Sequence, residues 1–192
     1  MEAFLVSIGI VALAEVGDKT QLLAFVLAAR FRGATGAIIL GILTATVINH
    51  AFAAIVGTWL AGTVSPELLR WLLGLSFIAM GIWVLVPDKL EDKDTCFPAL
   101  GVFGVTLLAF FCAEMGDKTQ VATAALAAQY GAFIPVVVGT TLGMMVANVP
   151  AVLVGERLSN PALVKAVHGV AAVMFVLLGV AALSGAGARF GI

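Results

Sequence analysis

Glu15-Val16-Gly17-Asp18-Lys19-Thr20-Gln21 recurs as Glu114-Met115-Gly116-Asp117-Lys118-Thr119-Gln120, with only the second position changed. Each copy lies inside a long apolar run. On the insertion scale, Asp, Lys or Arg at the centre of a membrane helix costs roughly 2.5 to 3.5 kcal/mol each. Two carboxylates and a lysine, placed twice at such depth, demand a reason. An ionisable residue inside a membrane segment is by default a functional-site hypothesis.

The surrounding composition makes that setting concrete. Of 192 residues, 62% are hydrophobic and 11% charged, against about 25% charged in soluble domains. The mean hydropathy is +1.15. These values point to an integral membrane protein in contact with the lipid bilayer. A net charge of −1 without a Lys/Arg cluster argues against nucleic-acid binding. Cys96 and Cys112 form no metal-binding spacing. No catalytic triad, phosphate loop or cofactor fingerprint occurs, so the expectation is a non-enzyme with no prosthetic group. The N-terminal run has no basic region before it and continues to about Ala29, which reads as a retained first membrane helix rather than a signal peptide.

Six apolar spans follow, each near or above the roughly 20 residues needed to cross a bilayer. They run from about Ala3 to Ala29, Thr35 to Ala61, Leu68 to Val86, Ala99 to Ala128, Phe133 to Val154 and Ala162 to Ser184. The two motifs are 99 residues apart, and the similarity extends to Val26-Leu27-Ala28-Ala29 and Ala125-Leu126-Ala127-Ala128. Each half is thus a three-span unit, and an odd number of spans inverts the second half. The expected fold is an all-α integral membrane protein of six transmembrane helices, built as two inverted-topology three-helix repeats. Residues 1–87 form the first repeat, 88–98 a charged cytoplasmic loop and 99–192 the second repeat. Arg30, Arg32, Lys89, Lys93, Arg157 and Lys165 fall on one side, and Arg70 and Arg189 on the other. The positive-inside rule then places both termini outside and the central loop in the cytoplasm, in a multi-pass cell (inner) membrane protein.

Both motifs fall near the middle of their spans. A helix of 27 residues would be about 40 Å long, against a hydrocarbon core of about 30 Å, so it is tilted or broken. Gly17 and Gly116 are the places for a break or a close helix crossing. On a continuous helix, Glu15, Asp18 and Lys19 would share a face, as would Glu114, Asp117 and Lys118. A two-fold axis would bring the faces together, giving four carboxylates and two ammonium groups. Fully ionised, that set carries −2, which one divalent cation or two protons neutralise. Glu15, Asp18, Glu114 and Asp117 are therefore the candidate metal ligands. Oxygen donors suit Ca²⁺, Mn²⁺ or Mg²⁺. Thr20, Gln21, Thr119 and Gln120 supply further oxygens or line the path, and Lys19 and Lys118 brace the acids by ion pairing. Asn49 and Asn148 lie mid-span in the second and fifth helices, with His50 opposite Asn148 in the gapless alignment. They divide evenly between supporting the site and plain interhelical hydrogen bonding.

The paired Glu-x-Gly-Asp-Lys-Thr-Gln motifs, the three-plus-three layout and the charged loop between the halves resemble the GDT1 family, also called uncharacterised protein family 0016 and related to lysine-exporter-like transporters. The resemblance covers essentially the whole chain. It implies a cation transporter exchanging Ca²⁺ or Mn²⁺ for H⁺, with manganese exporters among bacterial relatives. It also implies Glu15, Asp18, Glu114 and Asp117 as the ion-binding acids, and a cytosolic central loop. The expected function is export of Mn²⁺ or Ca²⁺ in exchange for protons. The competing readings are an uncoupled cation channel, a helical module using the motifs as an ion-pair clasp, and an exporter of a small organic cation or amino acid. A homo-oligomer is compatible with the sequence.

Overall fold

The computed structural model describes residues 1–86, 100–154 and 161–184. The central loop 88–98, Cys96, Arg157 and Arg189 lie outside the described residues. The described chain is all helix, in the order α1 (Glu2–Glu15), α2 (Lys19–Arg30), α3 (Thr35–Thr63), α4 (Pro66–Trp83), α5 (Gly101–Glu114), α6 (Lys118–Tyr130), α7 (Phe133–Val154) and α8 (Pro161–Ser184). α3 and residues Phe133–Leu153 of α7 are long and apolar enough to cross a membrane. α1 and α5, at 14 residues each, rise only about 21 Å, because the first and fourth apolar runs are each split at the motif.

The split follows from the glycines. Gly17 has φ +81° and Gly116 has φ +76°, a left-handed conformation that glycine adopts without steric cost. The chain leaves the helix at Glu15 and Glu114 and restarts one turn later. Both pieces of each broken helix then pack on one long helix. α1 and α2 lie on α7, and α5 and α6 lie on α3.

The packing repeats between the halves. Gly139 of α7 faces Phe4 and Ser7 of α1, and Gly41 of α3 faces Phe103 and Thr106 of α5. A Cβ at either glycine would come within 2.8 Å of the Ser7 or Thr106 Cβ, so these helices cross too closely for any side chain. α4 and α8 form a separate antiparallel pair. Gly74 meets Gly179 and Leu183, and Gly81 meets Ala172 and Val176. Phe77 and Phe175 stack in that interface with ring centroids 6.4 Å apart. The pair is docked unevenly, with α8 on α1 and α4 on α6.

Polarity is inverted relative to a water-soluble core. Ile48, Phe52, Ile55 and Trp59 on α3, and Leu142, Val146 and Leu153 on α7, are exposed. Glu15, Asp18, Glu114, Asp117 and Lys118 are buried. Exposed apolar surface on this scale fits a hydrocarbon solvent, and the interior polar groups fit a membrane protein.

Candidate functional site

Each residue of the motif has a distinct structural task. Glu15 and Glu114 are the last residues of α1 and α5. Val16 and Met115 are extended, and the following glycines turn the chain. The turn is held by backbone hydrogen bonds from Asp18 N to Glu15 O and from Asp117 N to Glu114 O, both 3.1 Å. Asp18 and Asp117 then occupy the N-cap positions of α2 and α6. Asp18 Oδ1 accepts from the Lys19 backbone N–H at 2.7 Å. Caps of this kind satisfy donors that a helix start leaves free.

The last two positions close the break. Gln21 Oε1 accepts from Gly17 N at 2.9 Å, and Gln120 Oε1 accepts from Gly116 N at 2.7 Å. The glutamine thus reaches back across the start of its helix, as in a capping box. Thr20 Oγ1 donates to Glu15 Oε2 at 2.6 Å, and Thr119 Oγ1 donates to Glu114 Oε2 at 2.8 Å. The threonines therefore orient the glutamates and leave each one's other oxygen free.

The lysines differ from the single-face picture. With the helix broken, they do not brace acids on their own helix face. They cross to the other half: Lys19 Nζ lies 3.2 Å from Asp117 Oδ1, and Lys118 Nζ lies 3.1 Å from Asp18 Oδ1. Thr46 and Met144, 98 positions apart, also touch, with Oγ1 donating to Sδ at 3.3 Å. Such reciprocal contacts between matched positions are what a two-fold relation produces.

Three of the four candidate acids converge. Glu15, Glu114 and Asp117 are buried, and each offers one carboxylate oxygen such that these oxygens lie within 4.8 Å of one another. Among the described residues this is the one group of three or more His, Cys, Asp or Glu side chains placed to hold a metal ion. Glu15 Oε1, Glu114 Oε1 and Asp117 Oδ2 are buried without a hydrogen-bond partner. Buried polar atoms are ordinarily satisfied, so three orphaned carboxylate oxygens in one cluster suit a cation. Asp18 stands outside the three-acid group, paired with Lys118.

The residues around the cluster are unequal between the halves. Asn148 Nδ2 donates to Glu15 Oε2 at 3.5 Å and to Met144 O at 3.1 Å. Asn49 Nδ2 instead donates to Phe111 O at 3.3 Å. Gln21 Nε2 reaches Ala147 O of α7 at 3.0 Å, whereas Gln120 Nε2 stays on its own motif, 3.9 Å from Met115 Sδ. His50 is fully buried, with neither ring nitrogen hydrogen-bonded. Thr44 and Thr140 bond to carbonyls of their own helices. Met144 was not legible as a neighbour of the site. Its signal was the 98-residue offset that pairs it with Thr46.

The sequence model described as "Divalent cation/proton antiporter GDT1" matches residues 3–92 and 102–189. The chain belongs to the GDT1 family. This family is thus described as one of transporters, and the resemblance carried by the two motifs is borne out. A protein of Vibrio cholerae serotype O1 named "Putative manganese exporter" is 46% identical over 182 residues, covering 94% of this chain and 90% of that protein. Two rice proteins named "GDT1-like protein 4", from the indica and japonica subspecies, are each 27% identical over 188 residues. That alignment covers 83% of this chain but 65% and 64% of their lengths. No solved structure matches the chain. Within the GDT1 family, the two matched segments each contain one motif and its break.

Proposed function

We propose that this GDT1-family chain exports a divalent cation, Mn²⁺ before Ca²⁺, across the cell (inner) membrane in exchange for protons. The observation that carries the reading is the buried Glu15–Glu114–Asp117 cluster, with one orphaned oxygen on each acid. Oxygen donors of this kind suit Mn²⁺ and Ca²⁺, and the name of the Vibrio relative favours Mn²⁺. Six spans in two inverted repeats, with both termini outside and the central loop cytoplasmic, give this cluster its place at mid-membrane. The repeated α1–α7 and α5–α3 packing and the reciprocal lysine–aspartate pairs support that architecture.

The transport cycle follows from charge. Lys19 and Lys118 answer Asp117 and Asp18, which leaves the two glutamates as the surplus charge. A divalent ion neutralises that surplus in one state, and two protons do so in the other. A cluster that is never left with bare surplus charge in hydrocarbon can alternate access to the two sides.

The clasp reading draws on the same two ion pairs. It explains the aspartates and lysines, but it leaves Glu15 and Glu114 without a task. The test is Mn²⁺ uptake into proteoliposomes under an imposed pH gradient, with internal pH recorded. Glu114→Gln should abolish both Mn²⁺ movement and the linked proton flux. Linked flux that persists in Glu114→Gln refutes the site. Mn²⁺ conductance without proton movement in the unaltered protein refutes the exchange.

A further inference from the structure

We propose that the two motif lysines have unequal roles. Lys19 is a tethered cation that holds Asp117 whenever metal is absent and is displaced when metal enters. Lys118 is a fixed counter-charge that keeps Asp18 out of the metal site. The assignment rests on the metal-site reading above and goes beyond it, because the motif copies are identical at these positions.

The geometry separates the two. Lys118 and Asp18 are sealed from outside, with side-chain exposures of 2% and 0%. Asp18 contributes nothing to the three-acid group. An ammonium buried against a carboxylate in this way has nowhere to go, and moving it would strand a charge in the interior. Lys19 is different on both counts. Its side chain is 22% exposed. Its partner, Asp117, belongs to the metal group.

A dication bound by Asp117 repels an ammonium held 3.2 Å from that same carboxylate, since Coulomb energy rises as the inverse of distance. Lys19 must therefore swing off the Asp117 carboxylate as the metal arrives, and its exposure lets it do so along a flexible four-carbon stem while its charge stays beside the site. When the metal departs, the ammonium returns and Asp117 is never bare. Lys19 acts as a cation on a leash.

The experiment compares Lys19→Met, Lys19→Gln and Lys118→Met with the unaltered full chain, measuring two quantities. The first is Mn²⁺ affinity of the purified protein. The second is the ratio of Mn²⁺–Mn²⁺ exchange to net Mn²⁺ efflux from loaded proteoliposomes into metal-free medium. Exchange returns the carrier loaded, whereas net efflux returns it without metal. If Lys19 holds the site about nine-tenths of the time, removing it tightens apparent Mn²⁺ affinity about tenfold, because the competent fraction rises to one. The exchange-to-net ratio should rise by a similar factor, in Lys19→Gln as well as Lys19→Met. Lys118→Met should lower both fluxes together and leave the exchange-to-net ratio unchanged, because the stranded Asp18 charge disturbs the fold rather than the return step. Weaker or unchanged affinity in both Lys19 variants overturns the assignment, as does a parallel fall of exchange and net efflux. Mn²⁺ binding in the unaltered protein with identical behaviour of the Lys19 and Lys118 variants overturns this assignment alone. Failure of the unaltered protein to bind Mn²⁺ overturns the metal-site reading and this assignment with it.

Discussion

Replacing Lys118 by Met should destabilise the protein far more than the same change at Lys19. Lys118→Met removes an ammonium 3.1 Å from Asp18 Oδ1, where both side chains are almost fully enclosed. Removing one partner of a buried pair leaves an uncompensated charge and costs about 3–5 kcal/mol. For a chain of this size each kcal/mol moves the melting temperature by about 2–4 °C. The expected fall is therefore about 6–20 °C. Lys19 pairs with Asp117 at 3.2 Å but is 22% exposed. Its loss falls between the exposed and buried limits, at about 1–2 kcal/mol, or about 2–8 °C.

The double change Asp18→Asn with Lys118→Met separates charge from packing. It removes both charges while keeping side chains of similar size, and such neutral replacements of buried pairs are often tolerated. It should return to within about 2 kcal/mol of the unaltered protein. The assay is thermal unfolding in detergent, followed by the fluorescence of Trp59, Trp71 and Trp83. Added salt should shrink the Lys19→Met deficit and leave the Lys118→Met deficit in place, because enclosed pairs are poorly screened. Equal melting of the two single variants would refute the reasoning. So would a double variant as unstable as Lys118→Met.

Two further outcomes follow from the geometry of the motif. Thr20→Val deletes the 2.6 Å hydrogen bond that orients Glu15; groups that orient ligands typically account for about 10- to 100-fold in metal affinity, and a Mn²⁺ titration should show a loss in that range, with unchanged affinity counting against Glu15 as a ligand. Gly116→Ala places a side chain at φ +76° with open space around its Cβ, so only backbone strain of about 1–2 kcal/mol is added, whereas Gly9→Ala, mid-helix and equally uncrowded, should stabilise by about 0.5–1 kcal/mol; both are read as melting shifts of opposite sign.

The helices were legible in the sequence because apolar runs bounded by Gly and Pro have few other readings. The expected span from Phe133 to Val154 is α7 to the residue, and the span from Thr35 to Ala61 ends two residues short of α3. A run too long for the bilayer left tilt and break open at Gly17 and Gly116, and the structure has the break. The partners of the lysines were not legible. Helical spacing places Lys19 beside its own Glu15, and that inference holds only while the helix is continuous. Once a left-handed glycine interrupts it, Lys19 points across to the other half. Nor could the sequence show that Asp117 joins the glutamates while Asp18 does not. The two motif copies differ only at Val16 and Met115. Their inequality comes from what packs around them: Asn148 against Glu15 with no counterpart on Glu114 among the described residues, and the uneven docking of α8 on α1 and α4 on α6.

The order of residues in the motif now has a physical reading. Glu15 and Glu114 end α1 and α5, where helix dipoles place partial negative charge and helix carbonyls lack intrahelical partners. A cation is favoured there. Asp18 and Asp117 begin α2 and α6, where the dipoles place partial positive charge and free N–H groups. An anion is favoured there. One interrupted helix thus supplies both fields within a single turn. The glutamate, before the break, is the acid to which the proposed function gives the mobile cation. The aspartate, after the break, is held as an anion that a lysine from the other half can answer. On the proposed reading, the interruption, rather than the acids alone, makes the cation site.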